Sequence, residues 1–171
     1  MGKFFEILGK IQEKILMFLT ILIPLLVTFQ VILRYVLHAP LMGIEELMLF
    51  PIIWLYMLGG ASASRARNHI ECGILTLYIK KEKSMAIFKV VKTAISLMIS
   101  IWLTYWAYWF FTYSLKMWKV SDLLYIPMFF GESSIFIGLT LMTMYSAIEL
   151  YDMIKNLLNI SKSIKEGGVK C

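Results

Sequence analysis

Four stretches of this chain are almost free of charge, and their lengths decide what it can fold into. Nineteen residues, Ile15 to Leu33, separate Lys14 from Arg34, and 18, Leu47 to Ser64, separate Glu46 from Arg65. A third run of 23 extends from Thr93 to Leu115; a fourth of 26, between Asp122 and Glu149, is broken only by Glu132. A helix needs about 20 apolar residues to cross the roughly 30 Å hydrocarbon core of a bilayer. Backbone amides in lipid must be satisfied within the segment, so each run reads as a helix. The expectation is an all-α integral membrane protein with four transmembrane helices at about 15–34, 46–64, 92–115 and 126–149, in a single membrane domain over 1–171. Apolar residues make up 60% of the chain and charged ones 16%, where a soluble domain has roughly 45–50% and about 25%. Disorder, a collagen-like fibre and a secreted disulfide scaffold are excluded by the same figures.

The positive charges are divided unequally. With four spans, one side holds only Arg34, Lys116 and Lys119, and the other holds the remaining 14 of the 17, together with both termini. The positive-inside rule makes the rich side, and so both termini, cytoplasmic. The net charge of +6 then reflects topology and contact with anionic membrane lipid, not nucleic-acid binding. Outside the spans, Phe4, Leu8, Ile11 and Ile15 recur at helical spacing, as do Ile70, Ile74 and Leu77, and again Ile154, Leu157, Leu158 and Ile164. Short amphipathic interfacial helices at about 3–14, 70–82 and 151–165 fit these patterns. For the first and last, plain continuation of the spanning helices fits as well. The first apolar run is longer than the 7–15 residues of a signal-peptide core and is followed by no cleavage motif, so it reads as a span. Gly2 lacks the context for myristoylation, Cys171 is not in a prenylation box, and Cys72 and Cys171 fall on the reducing side.

Catalytic chemistry is missing. His38 and His69 fall on opposite sides of the bilayer, so no bis-histidine haem site can form between them, and no Cys-x-x-Cys or metal-ligand cluster is present. Gly131-Glu132-Ser133 has no intramembrane histidine to activate its serine. Glu132 follows Pro127 closely, which places it near the start of the fourth helix as an interfacial carboxylate favoured by the helix dipole. Its alternative is a proton or ion site. No paired, Gly- or Pro-broken helices of the kind that build midplane substrate sites occur; Pro24 stands alone in the first span. The chain is not expected to be an enzyme, to hold a metal or cofactor, or to transport anything unaided.

Contact surface is what remains. Trp102, Tyr105, Trp106, Trp109 and Tyr113 step along the third span at intervals of three and four. Trp102 lies 14 residues before Lys116, about 21 Å at 1.5 Å per residue, deeper than an interfacial belt. Such a stripe suits packing against another helix, either this chain's own or a partner's. Gly59, Gly60, Ala61, Ser62, Ala63 and Ser64 form a small-residue face on the second span, and Ser96, Ser100 and Thr104 a small-xxx-small track on the third.

One segment is more specific. Gln30-Val31-Ile32-Leu33-Arg34-Tyr35 closes the first span; a loop with Pro40 follows, then Glu45-Glu46, Trp54, Gly59-Gly60-Ala61 and Arg65-Ala66-Arg67-Asn68-His69-Ile70. Over about residues 30 to 75 this order resembles the DctQ-type small membrane subunit of tripartite ATP-independent periplasmic (TRAP) transporters. Gly43-Ile44 departs from the family, which often carries a Trp before the acidic pair. Independently of the family, Arg34 and Glu45 or Glu46 flank one outer loop, where pairing would pin the first two helices; separate snorkelling to water is the alternative.

The resemblance implies the function. A DctQ-type chain pairs with a large membrane subunit of about a dozen spans that holds the substrate and sodium sites, and a periplasmic substrate-binding protein delivers an organic acid such as sialic acid or a dicarboxylate. The small subunit braces the scaffold for elevator-type transport in the bacterial inner membrane. Arg34, Tyr35, Glu45, Glu46 and His69 are then the structural and assembly residues, and Trp54, Gly59, Gly60, Trp102, Trp106 and Trp109 the candidates for packing on the partner. The rival readings are a free-standing four-helix membrane protein and a membrane anchor for another complex.

Overall fold

Helices account for nearly all of the computed structural model, which describes residues 2–38, 42–66 and 82–167. They are α1 (Gly2–Tyr35), α2 (Met42–Arg65), α3 (Glu82–Met117) and α4 (Phe129–Gly167), with no strand among the described residues. All four are long and apolar enough to cross a membrane. The all-α, four-helix membrane class read from the sequence is therefore the class observed.

Several helices outrun the bilayer. The 34 residues of α1 and 39 of α4 measure about 51 and 58 Å at 1.5 Å each. Residues 3–14 and 151–165 are thus not separate helices; they continue α1 and α4, because neither Gly nor Pro stands at Lys14-Ile15 or at Glu149-Leu150-Tyr151 to end a helix. The interfacial segment expected at 70–82 lies, except for its last residue, outside the described residues. Helix α1 runs unbroken through Pro24, where Thr28 Oγ1 donates to the Pro24 carbonyl at 2.8 Å.

The helices pack in the order α1, α2, α4, α3. Helix α4 therefore stands between α2 and α3, and α1 and α3 are the two edges. Lipid is as apolar as Leu, so helices associate through close approach of small residues and through polar contacts. On α3 that seam recurs every seven residues at Thr93, Ser100, Ala107 and Ser114, the period of left-handed helix packing. Thr93, Ala107 and Ser114 are buried. Facing them on α4, the Thr143 hydroxyl meets Ser100 Oγ at 2.7 Å and Thr104 Oγ1 at 2.8 Å. Nearer the α3–α4 loop, the Phe111 ring lies 5.1 Å from Phe136 and 5.5 Å from Phe129.

The α2–α4 seam is tighter still, with Ala61 and Ser134 fully enclosed. A Cβ added at Gly138 would stand 2.7 Å from Met57 Cβ and 3.1 Å from the Met57 carbonyl oxygen, so only glycine lets the two backbones come this close. The large apolar side chains point the other way, from Ile21 and Leu25 on α1 to Met98 and Trp102 on α3. The Ser96–Ser100–Thr104 track is indeed a packing face at Ser100 and Thr104. The aromatic stripe is not internal: the small heptad takes the α4 side, which turns Trp102, Tyr105, Trp106, Trp109 and Tyr113 outward.

Gly138→Leu is expected to force α2 and α4 apart, at a cost of about 1–3 kcal/mol. Thermal unfolding in detergent, followed by size-exclusion fluorescence, should show a clearly lowered midpoint, whereas Gly59→Leu, with open space around the Cβ position, should not.

Candidate functional site

Two polar locks close the bundle, one at each end. At the end carrying Arg34, α3 and α4 are joined by residues 118–128, folded back on themselves. Met128 N–H donates to the Lys119 carbonyl and Ser121 N–H to the Ile126 carbonyl, both at 2.9 Å. Trp118 and Tyr125 adopt φ of 43° and 53°, left-handed values that a non-glycine residue holds only when its surroundings enforce them. The turn between them aims its amides at α2. Leu123 N–H reaches Glu46 Oε2 at 3.2 Å, Leu124 N–H reaches the same oxygen at 3.2 Å, and Ser121 Oγ donates to that carboxylate. A carboxylate in a cup of backbone N–H groups is a strong, charge-assisted arrangement. Leu124 covers Gly43, where a Cβ would meet its Cδ2 at 2.9 Å. Glu46 therefore clips the α3–α4 loop to the start of α2.

Behind this clip lies a cavity of about 160 Å³ lined by Glu46, Phe50, Ser121, Asp122, Gly131 and Glu132. Glu132 sits in the first turn of α4, as its place after Pro127 implies, and accepts from Ser114 Oγ on α3. Among the described residues no group of three His, Cys, Asp or Glu is arranged to hold a metal. Trp54 Nε1 donates to the Phe130 carbonyl at 2.9 Å, joining α2 to α4 just below the cavity.

The second lock is at the end carrying the termini. Gln12, buried in α1, donates to the Leu58 carbonyl of α2 at 2.8 Å and accepts from the Tyr145 hydroxyl of α4 at 3.1 Å. The next residue, Glu13, forms an ion pair with Arg65, seven residues beyond Leu58 on α2. The guanidinium occupies the space where Gly9 lacks a side chain. Three helices are thus tied by one amide, and α1 and α2 also by a charge pair.

The expected pairing of Arg34 with Glu45 or Glu46 is not formed. Glu46 faces the loop and is taken by Ser121 and the turn amides, while Glu45 accepts from Gln30 Nε2, one turn before Arg34 on α1, at 2.8 Å. The α1–α2 tie at this end is Gln30–Glu45. Arg34 is left over the ring of its neighbour Tyr35, 5.7 Å from the centroid, and both are exposed. Of the residues assigned to a partner, Trp54 bonds within the chain and Gly60 faces the Met142 methyl of α4. Gly59, Trp102, Trp106 and Trp109 look outward. His69, with Arg67, lies outside the described residues. Gln12, Glu13, Ser121 and the period of seven on α3 were not singled out by the sequence; only that period, visible once counted in sevens, offered a signal.

Four packed helices, each long and apolar enough to cross a membrane, define a multi-pass membrane protein. The chain belongs to a known family of this class: residues 23–156 match the model of "Tripartite ATP-independent periplasmic transporters, DctQ component", and the chain is a member of it. It is a transporter component and not an enzyme. Membership implies association with the large DctM subunit and a substrate-binding protein. No curated protein matches the chain.

Two outcomes are expected. Glu46→Leu removes the acceptor of the turn amides, and hydrogen–deuterium exchange should rise about tenfold in the peptide covering 118–128 and stay unchanged in mid-α3. Gln12→Leu removes the bonds from α1 to the Leu58 carbonyl and the Tyr145 hydroxyl and should cost about 1–2 kcal/mol of bundle stability, read as a lowered unfolding midpoint.

Proposed function

We propose that this chain is the small permease subunit of a sodium-driven TRAP transporter that imports an organic acid, sialic acid or a dicarboxylate, across a bacterial inner membrane. Both termini then face the cytoplasm, the side with 14 of the 17 positive charges. The supporting observation is the family match over 23–156 on a bundle in which Gln12, Thr104 and Thr143 bond between its own helices. In this reading substrate and sodium bind the large subunit. A protein with locked ends and a tight α2–α4 seam is suited to be a fixed brace, against which a transport domain of the partner moves by an elevator mechanism. The exposed Arg34–Tyr35 pair and the clipped loop at 118–128 stand at the periplasmic end in this orientation, where the binding protein would dock.

A mild-detergent pull-down of the tagged chain from its native membrane tests the reading. Recovery of a roughly twelve-span protein in equal amount is expected. Reconstituted vesicles should then take up organic acid only with both subunits, the binding protein and an inward sodium gradient. Recovery of the chain alone, or uptake indifferent to sodium, defeats it.

A further inference from the structure

The outward face of α3 differs chemically from the rest of the bundle's surface. Trp102, Trp106 and Trp109 are 68%, 60% and 61% exposed, and Tyr105 beside them 59%. Each carries a hydrogen-bond donor, and among the described residues none of the four has a hydrogen-bond partner in the chain. Trp106 is 10 residues and Trp102 14 residues from Lys116, about 15 and 21 Å along the axis, in the middle of a roughly 30 Å core. Aromatic residues that anchor in headgroups sit at the rims, where water and phosphates accept their bonds. At mid-depth lipid tails accept nothing, and an unpaired donor in hydrocarbon is costly.

On inward faces at comparable depth the polar side chains are served; outward, α2 shows the lone ring of Tyr56, 72% exposed, where α3 shows a cluster. Trp54 has the Phe130 carbonyl and Thr104 has Thr143. The other edge of the bundle supplies the contrast. Helix α1 turns Ile11, Phe18, Ile21 and Leu25 outward, side chains that ask for no acceptor. Position in the row matters as well. Among the described residues helix α3 packs chiefly on α4, so its other flank is where a further helix can extend the row.

We infer that the Trp102–Trp106–Trp109 face of α3 is the seat of the large subunit, and that α1 is the lipid edge. The occupant is a transmembrane segment rich in Gly, Ala, Ser or Thr. Small residues make room for the indole rings, and hydroxyls or backbone carbonyls accept the indole and Tyr105 donors. This rests on the reading of the chain as a TRAP small subunit and names the face through which that subunit is joined.

The test uses the full complex, with a photo-crosslinking benzophenone residue placed by Trp106→p-benzoylphenylalanine or, on the opposite edge, by Ile21→p-benzoylphenylalanine. The expected result is a covalent adduct with the large subunit from position 106 and none from position 21. An adduct from 21 and not 106, a dimer of two copies of this chain from 106, or lipid adducts alone from 106 overturns the assignment; the family pairing stands if the complex still co-purifies. Failure of the unsubstituted chain to co-purify with a large subunit defeats the underlying reading instead. A second variant, W102F/W106F/W109F, keeps three rings and removes three donors. With the chain still monodisperse, association should weaken about tenfold; undiminished association means that the donors are not used, and overturns the argument.

Discussion

Close approach of backbones along α4 is the constraint on which the rest of this structure depends. In lipid an apolar side chain gains nothing by turning inward, so the fold cannot rest on the burial that organises a soluble protein. It rests on absences: Gly138 against Met57, Ser134 fully enclosed, Ala107 and Ser114 in the α3 seam. Where side chains are short, dispersion contacts between main chains become available, and hydroxyls such as Thr143 find partners across the gap. Helix α4 offers such edges to two neighbours at once, which is why it takes the central place in the row.

The locks at the two ends do a different kind of work. Small-residue seams fix how near the helices come and leave sliding along the axis weakly opposed. Glu46 in its cup of amides and Gln12 between Leu58 and Tyr145 are directional contacts, and they fix register. Each connects segments distant in the chain. Together they hold α2 at both ends, once to the α3–α4 loop and once to α1 and α4. A brace needs this combination of close seams and pinned ends.

How much of this could be read from the sequence depended on the range of the interaction. Four helices were legible because length and hydropathy are local properties, and a membrane permits few alternatives. The continuation of the first and last spans stayed open, since an amphipathic stripe of a dozen residues looks the same lying down or standing up. The pairing of Arg34 with Glu45 or Glu46 was plausible on proximity, yet a carboxylate chooses among all nearby donors. The folded loop at 118–128 presents amides that no residue type advertises. Gln12 and Glu13 acquire meaning only through register with Leu58, Arg65 and Tyr145, a property of three helices at once. The aromatic stripe was visible; its outward direction followed from the smaller residues on the opposite side of α3.

The central place of α4 also governs the order in which the protein can be completed. Helices leave the translocation machinery in chain order, but α2 and α3, successive in the chain, meet chiefly through a helix that is made after both of them. Until α4 arrives, the glycine-accepting side of α2 and the seven-residue seam of α3 have nothing to close on, and Glu46 has no turn to grip. The last span is therefore the wedge that joins the α1–α2 pair and α3 into one body. A chain released before its final forty residues would have most of its hydrophobic length in the membrane but, of its architecture, only the α1–α2 pair.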